Sequence, residues 1–383
     1  MEKSCKAELC GSESNTRFSQ GKIKNKEING HCFLGLGKFL RKKIHTIFGR
    51  RPKFSPAQEL ETANVEVEML GTEIQQSPIK NEIQQFLIAF ERDELVRATE
   101  GFSVQIGLGG YGIVYRGNLS DGRRVAVKVL DKESFQGKEE WRNELNILSK
   151  LDHRNISKLV GYCCEDNMIV YECMARSLSS ALFGKDNEMV IDWTTRFKII
   201  LDIIRGLAYL HEGTGVPIMH KDVKPSDILL DESFNAKISD FGYAMADIKL
   251  PWYEDVSIEG TRVVRTYGYA APEYIATGTP RMKSDIYGFG VTVLNVVSGK
   301  QAIDNKNFLS ENARRLHDKR RLTELIDPRL LNAGYSTHSK SIAGTINIAL
   351  QCTVSNARSR PSASRVLEML LSKDPNRHNT GQC

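Results

Sequence analysis

Apolar and polar positions change their period along the chain, and each change predicts a different element. Residues 1 to about 80 mix Lys, Ser, Asn, Gln and Glu with few aromatics and no sustained alternation, the pattern of a poorly ordered leader. Inside it, Phe33, Leu36, Leu40, Ile44 and Ile47 recur at spacings of three and four, with Lys38, Arg41, Lys42 and His45 mostly on the other side. That spacing predicts a basic amphipathic helix over 33–48, weakened by Gly35, Gly37 and Lys43. Phe90 to Ser103 predicts a short amphipathic helix stopped by Gly101. The period then shortens. Ile113-Val-Tyr115 and the run Arg124 to Leu130 read as strands joined through Asp121-Gly122, a dipeptide suited to a tight hairpin. A helix presenting Trp141, Leu145 and Leu148 follows, then more strands to about Tyr171. Beyond that point helical periodicity dominates, as in Thr195 to His211 and Lys283 to Ser298. The layout predicts an α+β fold: a small antiparallel sheet with one helix, then a larger helical lobe.

Charge divides the chain at the same place. Met1 to Pro56 holds 13 Lys and Arg against 4 Asp and Glu, a surplus of nine; the whole chain carries +6, so the remainder is acidic by three. A basic amphipathic leader is suited to an anionic membrane surface, and equally to a solvated tail or a nuclear-import patch. The eight cysteines show no C-x-x-C pair, which argues for a reduced, cytosolic chain rather than a disulfide or zinc framework. The polar start Met1-Glu2-Lys3-Ser4 suggests neither a signal peptide nor N-myristoylation, and Cys32 to Leu40 is far short of the roughly 20 apolar residues a transmembrane helix needs. Cys5, Cys10 and Cys32 are candidates for reversible acylation, with free surface thiols as the plainer reading.

Gly107-Leu-Gly109-Gly-Tyr-Gly112 gives G-x-G-x-x-G, a pattern shared with dinucleotide sites. A dinucleotide site needs a helix to start at the loop, whereas this loop runs into a strand and hairpin, so it reads as a flap whose backbone amides can approach phosphates. In Val125-Ala-Val-Lys128, alternation puts Ala126 and Lys128 on one face, with room beside Ala126 for a ring. A lysine within an apolar strand needs a counter-charge, and Glu144 on the next helix is the best candidate.

Taken in order, the glycine loop, V-A-V-K, His220-Lys-Asp222, Asp240-Phe-Gly242 and Ala271-Pro-Glu273 resemble the protein-kinase family over about Phe90 to Leu371. Ala98-Thr-Glu-Gly-Phe-Ser103, Val160-Gly-Tyr-Cys163, Asp192-Trp193, Gly206 to Glu212 and Ala270 to Tyr274 are similar to phrases of plant receptor-like and receptor-like cytoplasmic serine/threonine kinases. The resemblance implies the two-lobed kinase fold, with a leader at 1–89, a kinase domain at 90–371 (small lobe about 101–172, large lobe about 173–371) and a tail at 372–383. It implies ATP held by Ile106, Gly107, Leu108, Gly109, Gly110, Tyr111, Gly112, Val114, Ala126 and Lys128, with Glu144 paired to Lys128. Asp222 would orient or accept the proton of the attacking hydroxyl, Lys224 would neutralise the moving phosphoryl group, and Thr266 marks the serine/threonine subclass. Asp240 and Asp227 would hold Mg²⁺, with Mn²⁺ as an admissible substitute.

The resemblance further implies that Arg360 pairs with Glu273 and that Asp285 braces the catalytic loop. It implies protein substrates, an upstream receptor kinase and a cytoplasmic chain, peripheral at the plasma membrane through its leader; no nucleic acid partner is expected. Candidate phosphosites are Ser257, Thr261 and Thr266, near Arg262 and Arg265. Two departures bear on chemistry. The family usually has Arg at Lys221 and Asn at Asp227; the first loses a planar fork for phosphate, and the second trades an amide donor for a negative charge. Those changes leave a second reading open, a nucleotide-binding pseudokinase scaffold.

Overall fold

A computed structural model describes residues 87–375 apart from 110–111, 132–133, 185–189, 247–265, 305–306 and 333–334. The segment 33–48, Cys5, Cys10, Cys32, Cys383, Gly110, Tyr111, Ser257, Thr261, Arg262 and Arg265 therefore lie outside the described residues.

Strand β1 (Ile88–Ala89) and helix α1 (Arg92–Ala98) come first. Then β2 (Gln105–Gly109), β3 (Gly112–Asn118), β4 (Arg124–Leu130), β5 (Leu159–Cys163) and β6 (Met168–Glu172) complete a six-stranded sheet ordered β1-β5-β6-β4-β3-β2. Five strands pair antiparallel, as the alternation predicts; β1 departs from that, adding parallel to β5 at Ile88 and Gly161. Two residues are too few for any periodicity to reveal the extra strand. The β3–β4 hairpin turns at Asp121-Gly122, where Gly122 takes φ 87°, a conformation costly for residues with a Cβ.

Period-2 alternation along β4 sorts the two faces of this sheet. Val125 and Val127 pack with Phe90, Leu95, Met168 and Val170 beneath α1. Ala126, Lys128 and Leu130 face the other way, toward helix α2 (Phe135–Leu148) and the second lobe. Ser134 caps α2 by accepting from Gly137 N, and Trp141 on its inner face donates from Nε1 to Met168 O at 3.1 Å.

The second lobe starts with β7 (Arg176–Ser177), α3 (Leu178–Phe183) and α4 (Trp193–Ala208), the last capped by the Asp192 carboxylate on Thr195 N at 2.7 Å. The helical pattern expected to run to His211 does continue, but its last turn widens into a π-turn, Tyr209–Gly213. Short strands β8 (Ile218–Met219), β9 (Ile228–Leu230), β10 (Ala236–Ile238) and β11 (Met245–Ala246) carry the loops described below. Helices α5 (Pro272–Thr277) and α6 (Met282–Ser298), strands β12 (Ile303–Asp304) and β13 (Asn307–Phe308), and helices α7 (Leu309–Asp318), α8 (Pro328–Asn332), α9 (Tyr335–Cys352) and α10 (Ala363–Leu371) complete the lobe. No helix among the described residues is long and apolar enough to cross a membrane.

Every residue of α6 from Ser284 to Ser298 is buried, so this helix is an axle inside the lobe rather than a surface element. Its glycines follow from that crowding. A Cβ on Gly288 would meet Val223 O at 2.8 Å, and one on Gly290 would meet Cys352 Cβ at 2.7 Å. Buried Arg360 forks onto Glu273, Nη1 to Oε1 and Nη2 to Oε2 at 2.7 Å each, fastening α5 to the segment that leads into α10. Arg360 is the buried partner and Glu273 only partly so; removing Glu273 would cost about 3 kcal/mol, because the buried guanidinium is left without its match.

Candidate active site

The site lies on the face of β4 that bears Ala126. Lys128 Nζ donates to Glu144 Oε2 at 2.8 Å and to Asp240 Oδ1 at 2.7 Å, joining residues far apart in sequence. Burial by itself would depress the Lys128 ammonium, but the carboxylates of Asp240 and Glu144 outweigh it and hold the group well above its ordinary value. Burial also works against charge on Asp240, and the Lys128 cation more than offsets it, so this carboxyl stays below the usual range.

The hairpin of β9 and β10 sets Asp227 at its entrance and Asp240 just past its exit. Asp231 closes the turn by accepting from Ser233 N and Asn235 N at 2.8 Å each. Across the open end, Ser239 N donates to Asp227 O at 2.8 Å. Asp240 adopts φ 63° and Lys221 φ 74°, left-handed conformations that non-glycine residues keep only where their surroundings enforce them. For Lys221 the enforcement comes from α6. Asp285 accepts from His220 N and Lys221 N at 2.8 Å each, and His211 Nε2, delivered by the π-turn, meets the same carboxylate at 2.9 Å. Burial opposes the charge on Asp285, yet these donors pull its pKa below the ordinary value.

The loop hung from α6 in this way carries Asp222. Thr266 Oγ1 donates to Asp222 Oδ1 at 2.6 Å, while Lys224 Nζ bonds Asp222 Oδ2 and reaches Thr266 Oγ1 at 2.9 Å. The ammonium of Lys224 also stands 3.4 Å from Asp227 Oδ2. Burial would lower its pKa, but Asp227 and Asp222 together raise it. Asp227 has the opposite fate. Its Oδ1 accepts from Ser226 Oγ at 2.9 Å, but Oδ2 is buried with no hydrogen bond. Burial first, and then the like charge of Asp240, push its pKa well above the ordinary carboxylate value, against the pull of Lys224.

These groups line a cleft of about 780 Å³. Ile106, Gly107, Leu108 and Gly109 form its upper lip, with Leu108 76% exposed. Val114 and Ala126 roof it, and Lys128, Glu144, Lys224, Asp227 and Asp240 lie deeper along its wall. Asp222 and Thr266 join the cleft through Lys224. Gly112 does not line it; it sits in β3 where a Cβ would strike Val129 O at 2.8 Å. The lining also brings in residues that sequence reasoning missed: Ser157, Tyr171 and Cys173. Tyr171 was legible in principle, since it is the direct cross-strand partner of Ala126. Asn143, also missed, reaches the segment after Asp240.

Chemically, the arrangement offers a cation for phosphate oxygens, a carboxylate beside a bound hydroxyl, and two further carboxylates for a hard metal ion. Among the described residues no three His, Cys, Asp or Glu side chains form a metal cage on their own. A family model described as protein kinase domain matches residues 102–374. A probable serine/threonine-protein kinase PBL8 of Arabidopsis thaliana is 41% identical over 302 residues, covering 74% of this chain and 72% of that protein. The serine/threonine-protein kinase CDG1 of Arabidopsis thaliana is 40% identical over 295 residues, 73% of this chain and 67% of that one. A probable LRR receptor-like serine/threonine-protein kinase of the same plant is 45% identical over 292 residues, 73% of this chain but only 27% of the longer relative.

Proposed function

Because the chain belongs to the protein kinase family, we propose that it moves the terminal phosphoryl group of ATP to serine or threonine hydroxyls of other proteins. The observation that carries this reading is the pair of hydrogen bonds that Lys128 donates to Glu144 and Asp240, next to Asp222 already holding a hydroxyl.

In this reading ATP enters the 780 Å³ cleft with its ring between Val114 and Ala126 of the small lobe and Leu229 of β9 in the large lobe, and with Tyr171 beside Ala126 in the same sheet. Lys128 takes the α and β phosphates, keeping Glu144 as its anchor. Asp222 accepts the proton of the incoming Ser or Thr hydroxyl, whose oxygen bonds to the terminal phosphorus as the bond to the departing ADP oxygen breaks. The incoming hydroxyl takes over the place beside Asp222 where the Thr266 hydroxyl now donates, so a hydroxyl replaces a hydroxyl. Lys224 stays next to Asp222 and balances negative charge there.

A divalent ion fits the donors present. Hard cations favour carboxylate oxygen, and Asp227 presents a buried Oδ2 with no hydrogen bond beside Asp240. When bound, Mg²⁺ neutralises phosphate charge and holds the phosphates in place. Asp227 and Asp240 would hold it, and a carboxylate where the family usually has an amide favours tolerance of Mn²⁺. Lys221 retains a positive charge, though burial lowers its pKa with Asp285 opposing, and it lacks the arginine fork for a phosphorylated loop. The receptor-like relatives support an upstream receptor kinase, and we assign residues 90–371 to the kinase domain, extended by the Ile88–Ala89 strand that adds to its sheet, with the leader before it and the tail at 372–383. The basic segment 33–48 is suited to an anionic membrane surface; vesicle co-sedimentation that fails even at low salt would remove that part.

The central test is transfer of labelled phosphate from ATP to a Ser/Thr peptide pool in Mg²⁺ or Mn²⁺. Asp222→Asn and Lys128→Met are each expected to lower kcat/KM by about 10²–10⁴-fold. Nucleotide binding without transfer in either metal would overturn the enzyme in favour of the scaffold, a reading to which the comparisons lend nothing.

A further inference from the structure

The helix face that carries Glu144 holds the chain beyond Asp240 by more than that one carboxylate. Glu140, Asn143 and Glu144 stand at i, i+3 and i+4, so their side chains leave α2 on one side. All three reach the turn that follows Asp240. Asn143 Nδ2 donates to the carbonyls of Phe241, Gly242 and Ala244 at 3.2, 2.8 and 2.9 Å. Glu144 Oε1 accepts from Phe241 N at 3.1 Å, and Glu140 Oε1 accepts from Tyr243 Oη at 2.5 Å. The turn lies flush on the helix, for a Cβ on Gly242 would stand 3.3 Å from the Glu140 side chain.

The residue before this turn needs such support. Asp240 holds φ 63°, and its carboxylate points at Lys128 only while that conformation lasts. Upstream it is tied by Ser239 N on Asp227 O; downstream the turn at 241–244 is tied by α2 before β11 pairs with β8 at Met245 and Ala246. An asparagine amide brings two uncharged donors to three carbonyls, which no acid of the same shape can do.

We propose that Asn143 is a positioning residue: it pins the 241–244 turn to α2, so that the inward placement of Glu144 and the orientation of Asp240 toward Lys128 stand or fall together. The kinetic arm of the test rests on the kinase reading above; the structural arm does not.

Asn143→Ala and Asn143→Asp in the full chain are followed by thermal unfolding, by amide hydrogen exchange over 241–246, and by kcat and KM for ATP. Exchange over 241–246 is expected to quicken about tenfold or more relative to the strands β4 and β6. With it, kcat falls about ten- to a hundredfold while KM for ATP moves less than about threefold, Asp being worse than Ala because it adds only acceptors. Exchange over 241–246 that matches the unmutated chain would overturn the proposal. So would faster exchange spread evenly through the domain, which would make Asn143 a plain stability residue. Tyr243→Phe removes one hydroxyl from the same turn without touching Asn143. It supports the pinning if exchange there rises severalfold and counts against it if exchange is unmoved, even where the Asn143 variants do not fold. A chain that transfers no phosphate at all would sink the kinase reading and leave the exchange result to decide this one.

Discussion

Asp285 and Asp227 are both buried aspartates of the large lobe, 2% and 6% exposed, yet their surroundings treat them in opposite ways. Asp285 collects His211 Nε2, His220 N and Lys221 N, and its charge is favoured. Asp227 has one hydroxyl, a lysine shared with Asp222 and a like charge nearby, and its charge is opposed. Burial is common to the two, so it does not distinguish them; the donor set does. Asp285 is a finished joint, whereas Asp227 is an unfinished one, with a buried oxygen that has no hydrogen bond.

The sharpest way to break this contrast is Asp285→Ala, which strips three donors of their acceptor inside the lobe. We expect a loss of about 3–5 kcal/mol in urea unfolding. A loss under about 1 kcal/mol would mean that the three donors find other partners. The same joint has a pH signature. Because the folded carboxyl lies below its ordinary value, its contribution is complete above the unfolded pKa near ~3.9 and is lost as pH falls through the lower folded value. Stability profiles of the unmutated chain and Asp285→Asn should therefore converge at the acid end.

Asp227→Asn should act in the other direction. With no divalent ion present it is expected to stabilise the fold by about 1–2 kcal/mol at neutral pH, since an opposed charge is replaced by an amide. The raised folded value fixes the sign: the advantage is absent below the unfolded pKa near ~3.9 and opens as pH climbs toward and past the folded one. Thermal unfolding at several pH values decides it, and a destabilised variant at neutral pH would refute the unfinished joint. Adding Mg²⁺ or Mn²⁺ with a nucleotide should stabilise the unmutated chain more than the variant, by about 1 kcal/mol at saturating ion. The smallest effect belongs to an exposed pair. Arg365 and Glu368, 65% and 64% exposed at 2.7 Å, should be worth under about 0.5 kcal/mol, so Arg365→Ala tests whether burial is needed for either behaviour.

Much of this was legible because it is local. The alternation in β4 placed Lys128 beside Ala126, and a lone lysine among valines asked for an acid on the next helix, which Glu144 supplies. Asp121-Gly122 announced its own hairpin. The contact of Lys128 with Asp240 spans 112 positions and no periodicity announces it; the resemblance put the two at ATP and Mg²⁺ without pairing them. Other features left no trace in any short window. The parallel strand at Ile88–Ala89 is two residues long, and the π-turn that delivers His211 differs from an α-turn only in its hydrogen-bond step. Asn143 reads as an ordinary polar helix residue until the turn at 241–244 is brought against it. Nor does the sequence tell that Asp227 Oδ2 lacks a hydrogen bond, because satisfaction depends on where neighbours end up rather than on which neighbours exist.

Asp285 and Gly288 stand three residues apart on the axle α6, one gripping the backbone at His220 and Lys221, the other leaving just enough space for Val223 O. The loop bearing Asp222 is thus clamped between a hook and a notch cut from the same rod. Its height above the lobe is a manufactured dimension, and a single added methyl in the notch would push the loop bearing Asp222 outward without altering any atom that lines the cleft.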